Sequence, residues 1–284
     1  MKFDAFVRLT RIEHALMLCV AVLIGEVVAL GRFPSLGLAI LTFLPPFFIE
    51  MSAFAINDFF DVEADRRNGR TDRPLVSGEA TVGEALAISA IGMVVGISTA
   101  WLINYPCFLI ALIFGALAFF YSYKLKDVAL VGNIYIALTM AIPFVFGNMA
   151  VSDSISPSIT VLALIAFVTG LGREVMGTVR DIEGDRLRPG ARTLPMIIGT
   201  RMALIYSSLL YVLAALMSIV PFILIPQYKN DLNYLVPVAI CDVILLYIAA
   251  RSLSNSKEFL ESARKLSLAG MAFGLFGFFL GACY

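Results

Sequence analysis

Nine apolar runs, most of them long enough to cross a bilayer, are separated by short polar breaks. They lie at roughly 13–33, 37–58, 83–103, 106–124, 130–150, 158–180, 201–225, 232–252 and 266–284. A bilayer's hydrocarbon core takes about 20 apolar residues in a helix. The runs are continuous rather than alternating, and backbone polar groups stay unpaired in lipid only at great cost, so helices are expected rather than strands. The pattern predicts an all-α integral membrane protein. Its nine transmembrane helices are expected to form a bundle with a central cavity opening to the cytoplasmic side, in a single domain over 1–284.

Composition agrees with the pattern. The chain is 60% hydrophobic and only 15% charged, against about 25% charged for a soluble domain. Its mean hydropathy is +0.90. Formal net charge is zero, which argues against a nucleic-acid partner. The N-terminal apolar run continues without a small-residue cut site, so an uncleaved span is expected. Cys19, Cys107, Cys241 and Cys283 are widely spread and lie in or beside apolar runs. They read as buried fillers, not metal ligands or a disulfide framework.

Basic residues set the orientation. With the N-terminus inside, the inner face collects Lys2, Arg8, Arg11, Arg66, Arg67, Arg70, Arg73, Lys124 and Lys126. It also collects Arg180, Arg186, Arg188, Arg192, Arg201, Arg251, Lys257, Arg264 and Lys265. Only Arg32 and Lys229 fall outside, and Arg173 lies within the sixth span. The positive-inside rule therefore predicts a cytoplasmic N-terminus and polar face, with the C-terminus outside.

The inner face also carries the candidate chemistry. In "AINDFFDVEADRRNGRTDRP", residues 55–74, Asn57, Asp61 and Asp65 stand at i, i+4 and i+8. Residues four apart share a helix face, so one stripe bears an amide and two carboxylates. Asp58 flanks it, and Glu63 points elsewhere. In "GREVMGTVRDIEGDRLRPGARTLP", residues 172–195, Asp181 and Asp185 repeat the i, i+4 spacing. Both motifs end an even-numbered span, which suggests two related halves.

Clustered carboxylates repel and are costly at the edge of lipid, so a cation is required. Oxygen-only ligands without His or Cys suit a hard ion such as Mg²⁺, which completes its shell with phosphate and water. The bland alternative is a set of solvated helix ends paired with nearby arginines. It explains one such motif more easily than two on matching span ends.

At these residues the chain resembles a family. "NDFFDVEAD" with "RRNGRTDRPLVSG", and "DIEGD" with "RTLP", are similar to the two aspartate-rich signatures of the UbiA superfamily of intramembrane prenyltransferases. "YSYKLKDVALVGN" resembles the basic stretch between that family's halves. The details of "GREV", "DIEGD", "RTLP" and "YSYKLK" are most similar to the members that make archaeal ether lipids. The sequence departs from many members at Glu13-His14, where an asparagine is common near His14.

The resemblance implies transfer of a prenyl group, geranylgeranyl in those members, from a prenyl diphosphate to a lipophilic acceptor. The implied acceptor is geranylgeranylglyceryl phosphate. It implies two Mg²⁺ ions, one on Asn57, Asp61 and Asp65 with Asp58 flanking, the other on Asp181 and Asp185. Arg66, Asn68, Arg73, Lys124 and Lys126 are then expected at the diphosphate, although positive-inside topology alone would also place these cations there. Arg11, His14 and Glu50 are expected at the acceptor, Glu50 lying seven residues before Asn57 on the same face. For His14 the competing reading is an interfacial histidine with a polar neighbour. Membrane lipids complete the set of partners.

Three other functions bear weighing. A quinone precursor would replace the lipid acceptor by an aromatic ring. A cation-coupled transporter would draw on the nine spans and on Glu50, Glu174 and Asp242 within them, but transport sites usually sit near the bilayer midplane, whereas the main acidic clusters lie at helix ends. A receptor or scaffold gives no reason for two metal-type clusters.

Overall fold

The computed structural model describes residues 1–67, 69–188, 190–253 and 256–283. Among the described residues, nine helical segments are long and apolar enough to cross a membrane. The only strand-like pairing among them is one parallel bridge between Val128 and Arg192. In chain order the helices are α1 (Phe3–Thr10), α2 (Ile12–Leu30), α3 (Leu36–Arg67), α4 (Pro74–Ser77), α5 (Val82–Ile103) and α6 (Tyr105–Tyr123). A single 3₁₀ turn, Leu125–Asp127, follows α6. Then come α7 (Val131–Val151), α8 (Pro157–Arg180), α9 (Ile182–Asp185), α10 (Leu194–Ile198), α11 (Thr200–Met217), α12 (Ile219–Leu224), α13 (Leu232–Ser252) and α14 (Lys257–Cys283). Backbone contacts gather the chain into two compact units, Met1–Leu23 with Pro34–Lys126, and Ile24–Phe33 with Asp127–Tyr284.

In the first unit α3 packs along α5. Small residues permit the close approach: a Cβ on Gly92 of α5 would come within 2.8 Å of the Phe48 carbonyl oxygen on α3. Three residues from Gly92, the Ser89 carbonyl accepts a 2.6 Å hydrogen bond from Ser52 Oγ. Helices in lipid are held together by such tight packing and interhelical hydrogen bonds, because apolar burial gives no net drive there. The Thr81 and Glu84 side chains cap the start of α5 reciprocally. Asn104 caps α6 by accepting from the Cys107 backbone N–H.

In this unit two boundaries depart from the sequence reading, and in the second unit the last span, expected from 266, begins with α14 at Lys257. The second span was expected to end at 58, where apolar character fades, yet α3 runs unbroken to Arg67. Its 32 residues make about 48 Å at 1.5 Å per residue, more than the ~30 Å hydrocarbon core. The last turns therefore stand beyond the lipid tails, and they carry Asp61 and Asp65. Before the first span, α1 is a separate helix of 8 residues, too short to register as an apolar run. Arg11 joins it to α2 in the left-handed region, φ 46 and ψ 56, a conformation an L side chain adopts only when its surroundings hold it there.

In the second unit the core is built where α8, α11, α13 and α14 meet, with Val175, Met176, Leu204, Tyr211, Leu245, Ile248 and Ala263 fully or nearly buried. Gly277 on α14 faces the Tyr234 carbonyl and Val238 at distances only a missing side chain allows. The seventh span, expected as one helix over 201–225, is interrupted at Ser218, which divides α11 from α12. The Ser218 hydroxyl donates to Asp242 Oδ2 at 2.7 Å, and its carbonyl accepts from Tyr234 Oη at 2.6 Å. The break is thereby satisfied within the unit. All four cysteines are free thiols, three of them buried.

Candidate active site

In the first unit the residues singled out on α3 come together with cations from three other segments. Asp58 is buried, with 2% of its side chain exposed. Its Oδ1 accepts from Arg11 Nη2 at 3.0 Å and from Arg73 Nη1 at 3.1 Å. Its Oδ2 is buried with no hydrogen-bond partner among the described residues. The Arg11 guanidinium also lies over the Phe54 ring, 4.2 Å from the centroid, where cation–π attraction adds to the ion pair. His14 packs against the same ring at 5.4 Å. Asp58 thus ties the α1–α2 junction to the start of α4. The sequence reading set it beside a metal ion; the structure sets it between two arginines.

Asp61 receives Lys126 Nζ at 2.5 Å, from the 3₁₀ turn after α6. Asp65 Oδ2 stands 3.6 Å from Arg73 Nε. Arg73 therefore bridges two of the three aspartates. Arg66, expected at the diphosphate, instead donates to Glu63 at 2.9 Å, and both side chains are more than half exposed. Arg70 grips Asp72 with two hydrogen bonds of 2.9 and 3.0 Å, which hold the Asp72 carboxyl below its usual range. Asn57 is half-buried on α3 next to Asp58, Glu50 lies two turns earlier on the same helix, and Lys124 is exposed after α6. Asn68 falls outside the described residues.

The second unit holds the other motif. α8 ends at Arg180, Asp181 forms the junction, and Asp185 closes the short α9. The Asp185 N–H still donates to the Asp181 carbonyl at 2.9 Å, so helical phase persists across the junction. Asp181 is half exposed and is gripped by its neighbour Arg180 through contacts of 2.8 and 2.5 Å. Asp185 is buried and accepts from Arg188 Nη2 at 2.5 Å. Burial pushes the Asp185 carboxyl up to about 6, against the pull of Arg188.

Arg180 and Arg188 entered the sequence reading only as topology markers. The i, i+3 spacing from Asp185 was the available signal for Arg188. Arg188 also has its Nε 3.4 Å from Asp127 Oδ1, a long-range contact with no signature in the sequence.

Among the described residues, no group of three His, Cys, Asp or Glu side chains is arranged to enclose a metal. The donor set still fits Mg²⁺, which takes one or two carboxylates and draws its remaining ligands from phosphate and water. Each carboxylate assigned to an ion, Asp61, Asp65, Asp181 and Asp185, already faces a cation. These positions hold positive charge well.

The chain is similar to known proteins over most of its length. The family described as UbiA prenyltransferases matches residues 18–269. Over 275 residues the chain is 42% identical to the digeranylgeranylglyceryl phosphate synthase of Archaeoglobus fulgidus, covering 96% of this chain and 94% of that one. The synthase of the same name from Thermococcus kodakarensis is 37% identical over 250 residues, 88% of this chain and 87% of its own. A solved structure of a digeranylgeranylglyceryl phosphate synthase aligns with a TM-score of 0.75 at 30% identity over 98% of both chains. A UbiA homolog from Archaeoglobus fulgidus bound to GPP and Mg²⁺ aligns at a TM-score of 0.65 and 20% identity, over 95% of this chain and 98% of that one, a likeness of fold. The chain belongs to the UbiA prenyltransferase family. It is an integral membrane enzyme of that class.

Proposed function

We propose that the chain transfers a geranylgeranyl group from its diphosphate to geranylgeranylglyceryl phosphate. Three observations support this reading: the relatives of that name, the oxygen-only acidic motifs, and the cations set against them. The clamp on Asp58 carries the assignment of Arg73 and Arg11. It holds two guanidinium groups in fixed positions beside the motif.

In the proposed reaction the allylic C1–O bond breaks and the diphosphate leaves with the electron pair. The acceptor hydroxyl oxygen bonds to C1 and its proton passes to solvent. Mg²⁺, where bound by these carboxylates, would supply the charge that neutralises the leaving group. We assign one ion to Asn57, Asp61 and Asp65 and a second to Asp181 and Asp185. Arg73, Lys124 and Lys126 bind the diphosphate from the protein side. Asn68 and Arg66 complete the expected set, Arg66 as the weakest member because of its outward pairing with Glu63. Asp58 positions Arg73 and Arg11. Arg11 is directed to the acceptor phosphate, with His14 beside it and Glu50 deeper on the same helix. The polar face and N-terminus are assigned to the cytoplasm and the C-terminus to the outside.

The decisive experiment incubates membranes with labelled geranylgeranyl diphosphate and a panel of acceptors, with and without chelator. Label in a glycerol ether, lost with chelator and restored by Mg²⁺, is the expected result. Label on an aromatic ring replaces the acceptor, and activity indifferent to chelator removes the metal.

A further inference from the structure

We propose that Arg188 is an exchange cation: it occupies the Asp185 carboxylate while no metal is bound, and moves onto the diphosphate when a divalent ion takes that carboxylate. The inference rests on the reading above, in which Asp185 ligates Mg²⁺. Arg188 itself has so far been assigned no part in that reaction.

The argument begins with one oxygen. Asp185 Oδ1 accepts from Arg188 Nη2 at 2.5 Å, and the carboxylate and guanidinium side chains are only 10% and 20% exposed. A divalent ion on that oxygen and a guanidinium in contact with it repel at close range. One must give way, and the ion brings twice the charge. Arg188 has a second acidic neighbour to retain it: its Nε stands 3.4 Å from Asp127 Oδ1. Asp127 is itself fixed, because its carbonyl accepts from the Arg192 N–H at 2.8 Å and Val128 pairs with Arg192 in the parallel bridge. Displaced from Asp185, the guanidinium therefore stays anchored through Nε and presents Nη2 to the anion that arrives with the metal. Its planar fork suits phosphate oxygens. Asp127 becomes the positioning residue of this exchange.

A purely structural ion pair predicts something different. If Arg188 only braces the α9 region, removing it loosens Asp185 and weakens every ligand together. An exchange cation competes with the metal and cooperates with the anion, so its loss moves the two affinities in opposite directions.

The test uses the full chain in nanodiscs, Mn²⁺ followed by electron paramagnetic resonance, and inorganic pyrophosphate as the anion. An Asp185→Asn control identifies the share of the Mn²⁺ signal that belongs to this motif. Arg188→Gln is expected to bind Mn²⁺ alone about tenfold more tightly, the effect of removing one competing charge. It is expected to bind pyrophosphate at saturating Mn²⁺ about tenfold more weakly, the loss of one charged hydrogen bond. Arg188→Lys keeps the charge and should retain the wild-type Mn²⁺ affinity with part of the pyrophosphate binding.

Unchanged or weakened Mn²⁺ binding in Arg188→Gln overturns the exchange, as does unchanged pyrophosphate binding. So does an Arg188→Lys chain that behaves like the glutamine variant. If the wild-type and Asp185→Asn chains bind Mn²⁺ alike, the metal assignment to Asp185 fails and the exchange falls with it. If they differ and Arg188→Gln matches wild type, the exchange alone fails.

Discussion

With Arg11 and Arg73 both donating to one buried oxygen, the Asp58 carboxylate is the point where a single substitution disturbs the most charge. Asp58→Ala strands two guanidinium groups, and breaking a buried ion pair costs about 3–5 kcal/mol. We expect a lowered unfolding midpoint and a raised KM for the prenyl diphosphate. Mn²⁺ binding without substrate should stay near the wild-type value, because Asp58 faces arginines; a loss as large as that of Asp61→Asn would return Asp58 to the metal.

Arg66 and Arg73 make the complementary comparison. Arg66 pairs with Glu63 in the open, and exposed pairs contribute about 0–1 kcal/mol. Arg66→Ala should leave KM within about twofold. Arg73→Ala should raise KM tenfold or more, the scale of a charged hydrogen bond at about 1.5–3 kcal/mol. Equal effects from the two would undo this ranking.

Asp185 predicts a pH dependence. With Mg²⁺ on Asp185 as proposed, a proton and the metal would compete for its carboxylate, so the Mg²⁺ concentration for half-maximal activity should rise as pH falls below about 6. In metal-free protein the sign reverses. The folded chain keeps a proton there that the unfolded chain releases above its ordinary value of 3.8. This group's stabilising effect is therefore fully present below that value and is lost as pH rises toward about 6. Unfolding midpoints measured with chelator across that window check the second statement.

At this scale the sequence showed the carboxylates, because i, i+4 spacing survives without a structure. It did not show which cation meets which acid. Asp58 to Arg11 and Arg188 to Asp127 are pairings across dozens of residues, and no local pattern encodes them.

Helices were the most legible elements in the interior of the lipid and least legible at its edge. Hydropathy marked nine spans because lipid admits little else. It stopped the second span at 58 because it measures apolarity, not backbone geometry. Beyond that point "FFDVEADRR" contains no Gly or Pro to stop the helix. Gly69, at φ +66, follows the helix end. The short α1 and the break at Ser218 escaped notice for the same reason: neither changes the mean polarity of its window.

The α3–α5 contact predicts a stability effect at the same scale. Gly92→Leu places a side chain where Cβ alone lies 2.8 Å from the Phe48 carbonyl. Separating the two helices should cost about 1–3 kcal/mol, the range for overpacking. A thermal-shift measurement on purified protein should show the loss, and an unchanged midpoint would mean that the helices separate freely. Activity should fall with it, since α3 carries Asn57 through Asp65.

For the whole molecule, orientation is the property the charge pattern predicts. The native cysteines give little background, three being buried. Single reporters at Glu63→Cys and Asp153→Cys should label from opposite faces with a membrane-impermeant maleimide, Glu63→Cys only after the cytoplasmic side is opened. Labelling of both from one side would invert or break the nine-span arrangement.

The excess length of α3 has a further consequence. Asp61 and Asp65 ride on a rod whose height is set by protein packing, whereas the headgroup plane is set by the surrounding lipid. Hydrophobic mismatch is relieved by tilt or by local stretching of the bilayer. Reconstitution into lipids of graded acyl length should therefore move the Asp61 and Asp65 end of α3 relative to the interface, with turnover peaking at one thickness and declining on either side. A bilayer only a few carbons longer would draw the carboxylates toward hydrocarbon, where charge is least tolerated.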